Sequence, residues 1–137
     1  MNDGSAQKAD TSPSGEHYAG FLPTVFGLCQ QFKSFTVHSV FLSCHTGDNC
    51  IITSGSDVVV IRNILKQQNN FYLVCQKFCR YTDFFAYPLP SSQLGIYCVF
   101  DLSEEMVVCS LSDFKEKNVM MPFNDSFVVV PLKNIQV

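Results

Sequence analysis

The stretch VVVIRNILKQQNNFYLVCQKFCRY, residues 58–81, decides the fold class. Its first third, VVVIRNIL, is dense in β-branched residues, which fit the pleated, half-buried surface of a sheet. KQQNN (66–70) is a polar turn cluster. FYLVCQKFCRY (71–81) then resumes β character with aromatic and branched side chains. Two such runs about a short polar turn predict an antiparallel pair of strands.

The same grammar extends outward from this pair. Upstream, FTVHSVFLSC (35–44) reads as one strand, HTGDN (45–49) as a turn and CIIT (50–53) as a short strand. SGSD (54–57) predicts a hairpin turn in which Gly55 takes positive φ. Downstream, IYCVFDL (96–102) and EMVVCSL (105–111) read as two strands around Ser103 and Glu104. NVMMPF (118–123) and SFVVVPL (126–132) flank the turn Asn124-Asp125. YPLPSSQLG (87–95), with its prolines, serines and glycine, predicts a compact loop. Short strands separated by regular turns indicate an all-β fold, a small antiparallel barrel or sandwich.

Two segments depart from this pattern. Leu22, Val25, Phe26, Cys29 and Phe32 have helical spacing, and Pro23 suits a first helical turn. One short helix is therefore expected near the N-terminus. Residues 1–17 are polar and rich in Ser, Gly and Asp, which predicts a disordered tail. Residues 18–137 are then expected to form a single β-rich domain.

Composition narrows the function classes. Charged residues are 15% of the 137, well below the soluble average, so apolar surface is expected to be covered by a partner or by a further part of a longer chain. The net charge is −3 and the basic residues are scattered, with only a loose group at Lys115 and Lys117. Direct binding to nucleic acid needs clustered cations, so it is not expected. No stretch is long and apolar enough to span a membrane as a helix, and the first twenty residues carry no apolar signal region. Seven cysteines without a secretory signal predict reduced thiols in an intracellular setting.

No catalytic signature emerges, and no cofactor is expected. Cys44, His45 and Cys50 bracket a turn and are the best metal candidates, but structural zinc sites use tighter paired knuckles. Cys75 and Cys79 would share a strand face about 13 Å apart, too far for one zinc. His45 lies in a turn beside Cys44, and adjacent residues on a strand point to opposite faces, so a thiol–imidazole pair cannot be assumed. Asp101, Glu104, Glu105 and Asp57 fall at turns, where solvated charges are normal. No phosphate-binding glycine motif occurs.

The aromatic cluster Phe78, Tyr81, Phe84, Phe85 and Tyr87 is the most informative feature. It runs from a strand into the Pro-containing loop. Aromatics on a loop can hold a cation or anchor a protein partner; the simpler role is to cap the barrel end. The candidate contact surface is Tyr81, Phe84, Phe85, Tyr87, Pro88, Leu89 and Leu94.

From about residue 51 to 130 the element order resembles the bromo-adjacent homology (BAH) domain. The residues that carry the likeness are VVVIRNI, then FYLVCQKF, then FFAYPLPSSQLGIYCV, then VVCSLSDFKEKNVMMP. Phe114, Lys117 and Met120 stand in register with a late element of that family. The chain departs from it in lacking tryptophan and in its poor match to the acidic-aromatic stretch after the long strand. The resemblance implies a BAH-like or SH3-like barrel acting as a non-enzymatic interaction module. It implies a chromatin or other nuclear protein partner, a histone tail among them, and a nuclear location. YPLPSSQLGIY also resembles uncharacterised animal open reading frames near mobile elements. An alternative expectation follows, a homodimeric structural domain with edge-paired strands. A small zinc-binding domain is the third.

Overall fold

The computed structural model describes residues 11–23 and 26–132. Nine antiparallel strands form one sheet: β1 (Thr11–His17), β2 (Gln30–Val37), β3 (Val40–Ser43), β4 (Cys50–Thr53), β5 (Val58–Gln67), β6 (Asn70–Asp83), β7 (Tyr97–Ser110), β8 (Phe114–Phe123) and β9 (Ser126–Pro131). Along the order β5-β4-β8-β9-β7-β6 the sheet curls round, and β6 returns to pair with β5. The ring is thereby partly closed, as an all-β barrel requires. β2 pairs with β5 outside that ring and carries β1 and β3.

The β5–β6 hairpin is the spine, pairing from Val59↔Lys77 to Gln67↔Asn70. Two cores lie on opposite faces of β4 and β5. Ile51, Val59 and Ile61 feed the first, with Phe35, Leu42, Ile64 and Leu73. Cys50, Ile52, Val58 and Val60 feed the second, with Phe78, Val99 and Val129. Strict alternation would send Ile61 and Ile64 to opposite faces. The irregularity between Ile61 and Asn63 resets the register, so both enter the first core. Asn63 at that point is fully buried and bonds to Phe21 O, Gln31 and His17.

Several expectations change. The helix over 22–32 is absent among the described residues: β2 begins at Gln30, Phe32 enters the first core, and Leu28 is 97% exposed. Val25 lies outside the described residues. The expected tail reaches too far, because Thr11–His17 is the edge strand β1, held by backbone pairing to β2 and by Ser14 Oγ to Ser34 Oγ at 2.6 Å. Its sequence hides this because an edge strand needs no apolar alternation; residues 1–10 lie outside the description.

Residues 35–44 are not one strand. His38 and Ser39 take φ of 50° and 67°, which folds the run into the β2–β3 hairpin. Such paired positive φ values match strand twist, although the usual Asn-Gly signal is missing. In the 54–57 turn the positive φ is at Ser56, not Gly55. The two strands expected around Ser103 are one continuous β7, bulged there against β6. The extra residues of that bulge are on β7, so alternation along β6 is kept; Cys75 is buried and Cys79, farther along the strand, is exposed.

Candidate protein-interaction surface

Residues 84–96 leave the end of β6 and return as β7. The loop is built on Ser91, which is fully buried. Its hydroxyl accepts from the N–H of Phe84 at 2.7 Å and of Phe85 at 3.3 Å, and donates to Ile96 O at 2.8 Å. Its backbone N–H donates to Phe85 O and its carbonyl accepts from Ile96 N. A 3-10 helix, Ser91–Leu94, follows and ends on Gly95 at φ 77°. A Cβ there would stand 2.8 Å from Pro131 Cγ, so Gly95 lets the loop lie against β9.

Asp83 secures the loop's other side. Its Oδ1 accepts from Ser92 N–H at 2.6 Å. Hydrogen bonds from Ser92 hold its carboxyl below the usual carboxylate range. The backbone polar groups of an irregular segment are thus satisfied internally, which makes the loop a defined surface.

The loop presents aromatic side chains on that frame. Tyr87 is 87% exposed, Leu94 52% and Phe84 39%. Phe84 meets Phe123 edge-on at 5.0 Å and Phe85 at 6.3 Å. Phe123 and Met121, on the same face of β8, are also exposed. Pro88, after a cis peptide, is exposed, while Phe85 and Leu89 are half-buried. The Phe84–Phe123 contact joins the loop to β8, and with the exposed Tyr87 and Leu94 of the loop and Met121 of the strand we term this the ledge.

Tyr81 stands apart from this group. It pairs with Val99, which is fully buried, and its ring meets Tyr97 at 5.3 Å. Tyr97 packs on the second core. Tyr81 is thus on the face of β6 that looks over the core, whereas Phe84 packs on Phe123 from the other face. Phe78 is wholly core. Sequence proximity joined these rings, and the strand pleat separates them.

Met121 and Phe123 were missed by the sequence reading, because NVMMPF looks like an ordinary strand. Only the β8–β9 turn brings Phe123 under Phe84. A second concavity, of about 620 Å³, was also missed. It lies between β3 and β8 and is lined by Phe41, Phe114, Lys115, Lys117 and Leu132. Its walls come from segments far apart in the chain.

The candidate metal residues do not converge. Cys44 packs against the first core, Cys50 lies in the second, and His45 is exposed. Among the described residues no group of three or more His, Cys, Asp or Glu is placed to hold a metal ion. Asp101 pairs with Arg80 at 3.3 Å and Asp57 with Lys77 at 3.3 Å, while Glu104 and Glu105 are exposed. Among the described residues no helix is long and apolar enough to cross a membrane, which says nothing of a membrane-spanning β-barrel.

Fold and surface together define a small all-β domain, a partly closed antiparallel ring with an ordered aromatic loop. The chain belongs to the family described as Domain of unknown function (DUF8592), whose model matches residues 16–132. No curated protein and no solved structure matches the chain.

Proposed function

We propose that this domain is a non-enzymatic protein-interaction module that engages its partner through the ledge of Phe84, Tyr87, Leu94, Met121 and Phe123. One observation carries the reading. Large apolar side chains face solvent on a loop whose backbone is already fixed by Ser91 and Asp83. Exposed aromatics on a pre-ordered frame lose little entropy on binding, which is the character of an interaction hot spot. The pattern-level resemblance to the BAH domain supports a chromatin or other nuclear protein as partner, and a nuclear location.

The homodimer alternative draws less support. The edge strand β1 is polar and carries Pro13 and Gly15, which blunt strand-to-strand pairing between copies.

The test is photo-crosslinking in cells from a benzoylphenylalanine placed at position 87, against the same group placed at exposed position 45. A discrete protein adduct from position 87 alone, lost on Phe84→Ala, is expected. Identical adduct patterns from both positions would overturn the reading.

A further inference from the structure

The ledge has an electrostatic character of its own. No Lys or Arg occurs between Arg80 and Lys115, nor between Lys117 and Lys133. These two stretches supply the whole ledge together with β7, β9 and most of β8. They contain Asp83, Asp101, Glu104, Glu105, Asp113 and Asp125. Asp83 directly precedes Phe84, and Asp125 lies in the turn that follows Phe123. Asp125 is thus two residues from one ring of the Phe84–Phe123 pair, while Asp83, opposite Tyr97 in the β6–β7 register, adds its charge to the same end of the sheet.

The cation nearest to Phe84 along the chain is already committed. Arg80 pairs with Asp101 at 3.3 Å and lies 4.6 Å from the Phe100 ring centroid. Asp83 accepts from a backbone N–H, which leaves its charge unneutralised. Asp125 makes no ion pair among the described residues. Aromatic faces and uncompensated carboxylates attract the same kind of group, a guanidinium or ammonium.

We infer that the ledge takes a Lys/Arg-rich segment of a partner protein, with Phe84, Tyr87 and Phe123 against the side-chain stems and Asp125 nearest the charges. This rests on the interaction-module reading and adds the chemistry of the partner. Arg and Lys suit such a surface because their apolar stems lie on rings while the charged heads reach carboxylates. An acidic segment would meet repulsion from Asp125 and from a stretch of chain that carries no cation.

The experiment is a nitrogen-15 NMR titration of the intact chain with three octapeptides: octa-arginine, octa-glutamate and a neutral alternating Leu-Ser peptide. Octa-arginine is expected to shift the amides of Phe84, Tyr87, Phe123 and Asp125, with affinity falling as salt rises. Asp125→Lys should weaken it by about five-fold, and Phe84→Ala by a similar factor, both in folded protein. Asp125 is exposed in a turn, so its replacement keeps the fold when Asp83→Asn disturbs the loop. Shifts confined to Glu104 and Glu105, or unchanged affinity in both variants, would overturn the inference. If the Leu-Ser peptide moves the ledge and octa-arginine does not, the cationic partner is wrong while the interaction reading stands. If none of the three moves the ledge, both fall.

Discussion

Lys117 Nζ donates to Asp48 Oδ1 at 2.7 Å, tying β8 to the β3–β4 turn across 69 residues of sequence. The same ammonium donates to Phe41 O at 2.6 Å, on the open edge of β3. Lys117 is opposite Ile51, a fully buried core residue, so its stem runs through the first core before the charge emerges. A charged group pointing in from the sheet also guards the β3 edge against foreign strands.

Lys117→Met should therefore lower stability by about 2 kcal/mol, since the stem is kept while the ion pair and the bond to Phe41 are lost. Asp48→Asn should cost less, because an amide oxygen can still accept from the ammonium. Urea unfolding midpoints with unchanged slope check the order. Equal midpoints for wild type and Lys117→Met would mean that the clasp adds nothing.

Ser91→Ala should cost about 2 kcal/mol or more, because the N–H groups of Phe84 and Phe85 lose a buried acceptor. Hydrogen exchange at those two amides should accelerate well before the core amides respond. Uniform acceleration across the chain would show that the loop is not an independent unit.

The loop should also respond to acid. The carboxyl of Asp83 is held below the usual carboxylate range by its bonds from Ser92, so the folded loop binds a proton less readily than the unfolded chain. Its contribution is fully present above about pH 4 and is lost as pH falls through the lowered value. Protection of the Ser92 amide, followed by exchange against pH, should show this loss, and Asp83→Asn should remove the pH dependence. A Ser92 amide protected equally at acid and neutral pH would rule it out.

Aromatic substitutions should separate core from ledge. Phe78→Ala should cost about 3–5 kcal/mol, as for a large buried ring. Tyr87→Ala should stay within about 0.5 kcal/mol of wild type. Thermal unfolding of the two variants side by side is sufficient, and a large loss for Tyr87→Ala would place that ring in the packing after all.

Thiol labelling should follow burial. Cys79 is exposed, whereas burial pushes the Cys44 thiol up to about 11 and that of Cys50 to about 12. Iodoacetamide on folded protein near pH 8, read by peptide mass, should mark Cys79 early and leave Cys50 and Cys75 unmodified until unfolding. Early labelling of Cys50 would contradict its place in the second core.

The β5–β6 hairpin was readable in the residues because runs such as VVVIRNIL leave few alternatives to a buried strand. The edge strand β1 was not, since TSPSGEH owes its conformation to pairing with β2 and not to its own pattern. His38 and Ser39 carry no strong turn chemistry, so the β2–β3 reversal was invisible inside an apolar run. Tyr81 and Phe84 are three residues apart, an offset that alternation sends to opposite faces, but the sequence did not mark how far β6 runs toward Asp83.

Composition and β-branched runs determined, by themselves, that this chain folds as an all-β domain with an irregular aromatic loop after its longest hairpin. Those properties are local: side-chain shape selects extended backbone, and Pro, Gly and Ser interrupt it. Only the tertiary structure decided what the aromatics do. Bulges in β5 and β7 set which face each side chain takes, the β8–β9 turn brought Phe123 beneath Phe84, and Ser91 joined the loop's two ends. Each depends on pairing between distant segments, where a shift of one residue sends a side chain to the other face.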